Sequence, residues 1–382
     1  MTTIKVEKSQ AVLFRRGIVQ KGSNQAKYYK LAEYIKEGVL MGRIKPGDQI
    51  PSENILSKEH SLSRHTVRKA ISMLVNDGLL YTEHGKGTFC LGRQNKRSDS
   101  KNIGVITTYI SEYIFPRVIQ GIDGVLSGSG YSIMLKNTNN NTANEANCLQ
   151  DLLGKDIEGL IIEPTKSALF SDNLKFYEAF DKHHIPYVFI HGYSTQLEGK
   201  SHVILDDAGG MVSVVEYLAK LGHKNIIGVF KADDIQGINR HKGFARGLTK
   251  VGLPYNPDNI IWFHTEDKEV KPYIFIRQII EEKKDIDAIV CYNDEIAFRT
   301  FELLGKLGVK VPQDISVTGF DDSYFSENCP VKLTTVNHPK EVLGQEAASI
   351  LLEMLKDDNY QNNPIQKVIE PKLIIKDSCV ER

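Results

Sequence analysis

The chain has 382 residues, of which 41% are hydrophobic and 25% charged. That balance excludes a wholly disordered chain, a collagen-like fibre and a multi-span membrane protein. Basic and acidic residues number 48 each, yet the first 101 residues carry 19 basic and 9 acidic side chains and the rest carry 29 and 39. A basic head joined to a larger acidic body points to a polyanionic partner for the first part alone. The five cysteines (Cys90, Cys148, Cys291, Cys329 and Cys379) form no C-x-x-C pair. Neither a disulfide scaffold nor a structural zinc site is expected, and a reducing cytoplasm is the expected location. No apolar run reaches bilayer length and the N-terminus lacks the apolar centre of a signal peptide, so no membrane association is expected.

Residues 1–24 are basic and aperiodic and are expected to form a mobile extension. A first domain is expected over 25–92. Leu31, Ala32, Ile35 and Val39 repeat at helical spacing until Gly42, and Lys45-Pro46-Gly47-Asp48 is a turn. Ser52 caps a short second helix, with Glu53 at its positive end and Ile55 and Leu56 expected to face inward. Ser63 caps a third helix that buries Val67, Ala70, Ile71 and Leu74 and stops at Asp77-Gly78. Leu79–Thr82 and Gly87–Cys90 read as a strand pair. Three helices followed by a hairpin make a winged helix-turn-helix.

The outward face of the third helix presents Arg64, His65, Arg68 and Lys69. A helix of this size fits the DNA major groove, where arginine bonds guanine and other side chains hold phosphates. The amides beside Ser63 also favour phosphate. The alternative is a solvated basic face without a partner. His84, Gly85, Lys86 and Gly87 at the hairpin tip suit a wing in the minor groove, or a plain surface hairpin. One winged helix reads a short half-site, so a homodimer on near-palindromic double-stranded DNA is expected.

Residues 93–101 are polar and read as a linker. From Asn102 onward, short apolar runs such as Ile103–Thr107, Gly159–Ile162, Pro186–Ile190, Ile226–Phe230, Ala288–Tyr292 and Ile315–Gly319 alternate with amphipathic stretches. The expected class is α/β, with parallel sheets covered by helices on both faces. The length of the region suggests two lobes, near 102–222 with 337–360 and near 223–336 with 361–382. Tyr109, Glu163, His191, Asp207, Asn293 and Asp321 follow strands, and ligands bind beyond the carboxyl ends of strands in such sheets. Tyr109 and Trp262 are candidates by position for an aromatic wall of such a ligand site. Trp262 is equally readable as core. Arg240 reads as a ligand contact or as half of a structural ion pair. No Walker A run, G-x-S-x-G turn, Rossmann glycine fingerprint or H-E-x-x-H is present. No enzyme activity, cofactor or metal is therefore expected, and a carbohydrate-acting enzyme stays only as the alternative.

Several motifs resemble known families. Pro46-Gly47-Asp48, Ile50-Pro51-Ser52-Glu53, the run from Ser63 through Thr66 to Ala70, Asp77-Gly78-Leu79-Leu80 and Gly85-Lys86-Gly87-Thr88-Phe89 resemble the GntR-type winged-helix domain over about 26–91. That resemblance implies backbone contacts from Lys27 and Tyr28. It also implies major-groove contacts from Glu53, Arg64, His65 and Arg68, and minor-groove contacts from His84 and Gly85. Glu53 otherwise serves its helix dipole. Asp156–Ile162, Leu221–Ile226, Arg240–Phe244, Cys291–Ala297, Val311–Val317 and Gly319–Asp322 resemble the LacI/GalR-type effector domain, related to periplasmic sugar-binding proteins. This second resemblance implies sugar contacts at Arg240, Asn293 and Asp321, with Asp207 a weaker match. The fusion of the two resembles the arabinose repressors of Gram-positive bacteria. What that implies is a repressor released from its operator by L-arabinose; a regulator answering to another sugar is the alternative.

Overall fold

The computed structural model describes residues 26–91, 99–111, 113–282 and 285–382. The expected extension at 1–24 and most of the expected linker at 93–101 lie outside the described residues. Two compact units result: one holds the described residues up to Asp99 with 149–156 and 175–185, the other 100–148, 157–174 and 186–382.

In the first unit, helices α1 (Lys27–Leu40), α2 (Glu53–His60) and α3 (Arg64–Asn76) precede the hairpin β1 (Leu80–Glu83) and β2 (Gly87–Cys90). Leu31, Ile35, Val39, Leu56, Val67, Ala70, Leu74 and Leu80 share one apolar core, as their spacing requires. Ser52 Oγ accepts from the Ile55 amide at 3.4 Å, and Ser63 Oγ accepts from the Thr66 amide at 3.1 Å. Each serine satisfies one of the amides that a helix start leaves unpaired. One expectation fails: Leu56 is buried, but Ile55 is 48% exposed. Adjacent residues on a helix point about 100° apart, so Leu56 turns into the core while Ile55 turns to solvent.

The second unit contains two parallel sheets. The first has the order β13-β7-β6-β5-β3-β4, from β3 (Asn102–Thr107), β4 (Ser132–Asn137), β5 (Gly159–Ile162), β6 (Tyr187–Ile190), β7 (His202–Leu205) and β13 (Gln366–Ile369). The second has the order β11-β10-β8-β9, from β8 (Ile226–Lys231), β9 (Ile260–Phe263), β10 (Ala288–Cys291) and β11 (Ser316–Thr318). Fully buried strands such as Gly159–Ile162 and Ala288–Cys291 are continuous apolar runs because helices cover both faces.

The lobe boundaries differ from those expected. Helix α7 (Asp207–Lys220) packs on α8 (Ile235–Lys250) and so belongs to the second lobe; the chain leaves the first lobe at Asp206. Strand β13 pairs with β7, which places Gln366–Ile369 in the first lobe, not the second. The Asp206 amide bonds the Ile369 carbonyl at 2.9 Å, so two crossings between the lobes run side by side. A third crossing leads from β12 (Thr335–Val336) into α12 (Lys340–Met354), which packs on α4 (Phe115–Gly128) in the first lobe. That packing is close. A Cβ at Gly121 would lie 2.2 Å from the Glu341 carbonyl oxygen, and one at Gly344 would lie 2.2 Å from that of Val118.

Candidate functional site

The exposed face of α3 carries Arg64, His65, Arg68 and Lys69, the side opposite its buried Val67, Ala70, Ile71 and Leu74. Arg68 and Glu53 form a two-pronged pair, Nε to Oε1 at 3.0 Å and Nη2 to Oε2 at 2.9 Å. The hydrogen bond from Arg68 holds the Glu53 carboxyl below its ordinary range, against a small burial effect. Such a fork fixes the guanidinium in a plane. Lys69 Nζ lies 4.0 Å from the centre of the Tyr28 ring, and Lys27 is exposed beside it. Ser63 Oγ and Thr66 Oγ1 are 2.8 Å apart at the helix start. His84, Gly85 and Lys86 form the exposed hairpin tip, where Gly85 takes φ +78°, a conformation that side chains disfavour. Lys86 Nζ bonds Glu83 at 2.5 Å, and its carbonyl accepts from Gln49 Nε2 at 2.8 Å. The wing is thus tied to the body of the domain.

In the second unit a cavity lies between the lobes, at the carboxyl ends of both sheets. Tyr109, Phe115, Phe263 and Tyr292 supply aromatic surface, while Glu163, His191, Asn293 and Asp321 supply polar groups. Glu163 Oε2 accepts from Thr108 N at 2.9 Å and Thr108 Oγ1 at 2.6 Å, and Oε1 lies 3.1 Å from His191 Nδ1. Burial alone would raise the Glu163 carboxyl, but the bonds from His191 and Thr108 hold it below its ordinary value. An ionised Glu163 assigns the His191 proton to Nδ1. The buried His191 Nε2 has no protein partner and is left for a ligand. His191 sits at φ +63° and Asp321 at φ +99°, both sterically disfavoured and both at this cavity.

Asn293 caps α10 (Asp294–Lys306), its Oδ1 accepting from the Ile296 amide at 3.0 Å. Behind the cavity, Arg240 is 1% exposed. Its Nε donates to Asp207 Oδ1 at 2.8 Å, Nη1 to the Tyr292 carbonyl at 2.8 Å and Nη2 to Asp321 Oδ1 at 3.0 Å. The guanidinium stacks 3.7 Å from the centre of the Phe320 ring. Burial pushes the Asp207 carboxyl up to about 6 even though Arg240 opposes the shift. Burial and the charge of Asp321 push Asp294 up to about 7.

Residues 27–90 match the gntR family of bacterial regulatory proteins, and residues 215–379 match the periplasmic binding protein-like domain. An arabinose metabolism transcriptional repressor of Halalkalibacterium halodurans is 39% identical over 94% of this chain and 97% of its own. The chain belongs to the arabinose metabolism transcriptional repressor family. A second relative of that name, from Geobacillus stearothermophilus, is 38% identical over 93% of this chain and 98% of its own. A LacI family transcriptional regulator from Enterococcus faecium, solved with bound ribose, shares the fold with a TM-score of 0.61. It is 24% identical and covers 74% of this chain and 99% of its own. Both relatives are named as transcriptional repressors.

Against this family background, the cavity gathers five of the eight expected effector residues: Tyr109, Glu163, His191, Asn293 and Asp321. Asp207 and Arg240 stand behind the lining as a buried ion pair, the second of the two roles open for Arg240. Trp262 does not line the cavity. It packs against Phe230 and His241, at 6.0 and 4.7 Å between ring centres. Its neighbour Phe263 faces the cavity instead, because successive strand residues alternate sides. Sequence reasoning missed Tyr113, Asn140, Lys231, Asp234 and Thr265, all of which line the cavity. Lys231 and Asp234 follow the apolar run Ile226–Phe230, and that position was the available signal. Lys231 Nζ bonds Asp234 Oδ2 at 2.9 Å, and Tyr292 donates to the same oxygen at 2.8 Å. No helix among the described residues is long and apolar enough to cross a membrane.

Proposed function

We propose that the chain represses arabinose-utilisation genes by binding operator DNA as a homodimer, and that L-arabinose in the interlobe cavity releases it. The reading rests chiefly on one observation: a basic face on the third helix and a cavity lined by polar and aromatic groups occur in one chain whose relatives are named for arabinose control. On the DNA side, Arg64, His65 and Arg68 read bases or phosphates in the major groove, and Glu53 orients Arg68. Lys27, Tyr28, Ser63, Thr66 and Lys69 position the backbone, and His84, Gly85 and Lys86 enter the minor groove.

On the sugar side, Glu163 and Asp321 accept hydroxyl protons, the Asn293 amide donates, and His191 Nε2 bonds a further hydroxyl. Tyr109, Phe115 and Tyr292 face the apolar side of the ring. Arg240 and Asp207 hold Asp321 in place from behind. Arabinose acts only through a difference in affinity between the operator-bound and released forms. The site of action implied is the cytoplasm. Titrating L-arabinose, D-ribose and D-xylose into the protein by calorimetry tests the sugar assignment. Binding of L-arabinose at least tenfold tighter than the others supports it, and equal or absent binding overturns it.

A further inference from the structure

We propose that Tyr113, Asn140 and Thr265 are positioning residues that clasp the two lobes and populate the closed cavity before any sugar arrives. This rests on the interlobe site described above but not on which sugar it takes. At one point Tyr113, from the loop after β3, reaches into the second lobe. Its hydroxyl donates to Asp321 Oδ2 at 2.6 Å, lies 3.1 Å from the Phe320 carbonyl, and accepts from the Asp294 amide at 3.3 Å. Burial and the charges of Asp321 and Asp294 hold this phenol well above its ordinary value, so it stays a donor.

At a second point Asn140, after β4, donates through Nδ2 to Thr265 Oγ1 at 2.6 Å. The Lys166 amide donates to Asn140 Oδ1 at 3.1 Å, which fixes the orientation of the amide. The Thr265 hydroxyl, after β9, donates in turn to the buried Asp233 Oδ2 at 2.7 Å. The three groups therefore form one directed chain of hydrogen bonds that crosses from lobe to lobe. Beside it, Lys166 pairs with Glu266, and Ser167 Oγ accepts from the Ile235 amide at 3.0 Å. Tyr113 and Asn140 both carry positive φ angles, +57° and +50°. Asparagine adopts that conformation readily, but tyrosine does not, which fits a Tyr113 segment shaped by the contact it makes.

A contact made only in the closed form raises the closed fraction, and apparent affinity scales with that fraction. The test uses the full chain with Tyr113→Phe, Thr265→Val and the pair, and Thr265→Ser as the rescue. Hydrogen exchange is followed without sugar in peptides spanning Ile235 and Asp294. Expected is exchange about three- to tenfold faster there in Tyr113→Phe and Thr265→Val, with the β3 core unchanged and Thr265→Ser close to wild type. Unchanged exchange in the sugar-free variants overturns the clasp. Calorimetry with L-arabinose is the second arm, in which apparent affinity falls by a similar factor. If exchange rises but wild-type protein does not bind L-arabinose, the effector assignment fails and the clasp stands. If exchange rises while the variants bind as tightly as wild type, the clasp does not set affinity and the proposal is overturned.

Discussion

Removing the buried cation at the back of the cavity is the sharpest stability test. Arg240→Met keeps most of the volume but strips Asp207, Asp321 and the Tyr292 carbonyl of their donors at 2.8, 3.0 and 2.8 Å. Breaking one side of a buried ion pair costs about 3–5 kcal/mol, because the charge left behind has no water to turn to. For a unit of this size, 1 kcal/mol corresponds to roughly 2–4 °C, so Tm should fall by about 6–20 °C. The fall should depend on pH. Asp207 is already pushed up to about 6, and without Arg240 it is driven further toward its neutral form. At pH 5 the orphaned carboxyl takes a proton and much of the penalty disappears; at pH 8 holding that proton is itself costly. Calorimetric unfolding of the full chain at both pH values measures this. A fall of about 2 °C or less at pH 8, or equal falls at the two pH values, would refute the ion-pair role.

Other outcomes follow from the same geometry. Arg64→Ala should cost about 1–3 kcal/mol at one base position of the operator in competition gel shifts, whereas uniform weakening on all duplexes would make it a phosphate contact. Glu53→Ala releases the Arg68 fork and should lower the ratio of operator to random-duplex affinity several-fold while leaving random binding equal or tighter. A loss confined to a single cytosine would instead make Glu53 a base reader. Asp294, held near 7 when folded against about 3.9 unfolded, binds its proton more tightly in the native state. The stability it contributes is full below about pH 4 and lost as pH rises through 7. Wild-type Tm should therefore drop more between pH 5 and 8 than that of Asp294→Asn; parallel curves would contradict it.

The winged helix was legible because its core repeats at the helical period and Ser52 and Ser63 mark two helix starts. Ile55 and Leu56 are adjacent apolar residues in an eight-residue helix with no repeat of the apolar pattern, so spacing alone does not say which of them faces the core. In the α/β region, fully apolar strands such as Ala288–Cys291 announced themselves. Strand β13 did not, since Gln366-Lys367-Val368-Ile369 lies at a sheet edge with exposed polar residues. The crossings at Asp206 and after Ile369 have no sequence signature, and the lobe boundaries slipped there, whereas the crossing after Val336 falls at the expected boundary. Glu163, His191, Asn293 and Asp321 were found because polar residues just after buried strands converge in such folds. Tyr113 and Asn140 sit in aperiodic loops, and their partners lie more than 100 residues away in sequence.

The most direct test of the whole account starts from a near-palindromic duplex selected from random sequence by the protein itself. L-arabinose is then titrated into that complex while fluorescence anisotropy follows the DNA. The account predicts that L-arabinose dissociates the complex at concentrations where D-ribose and D-xylose leave it intact. A complex that persists or tightens under saturating L-arabinose would contradict it.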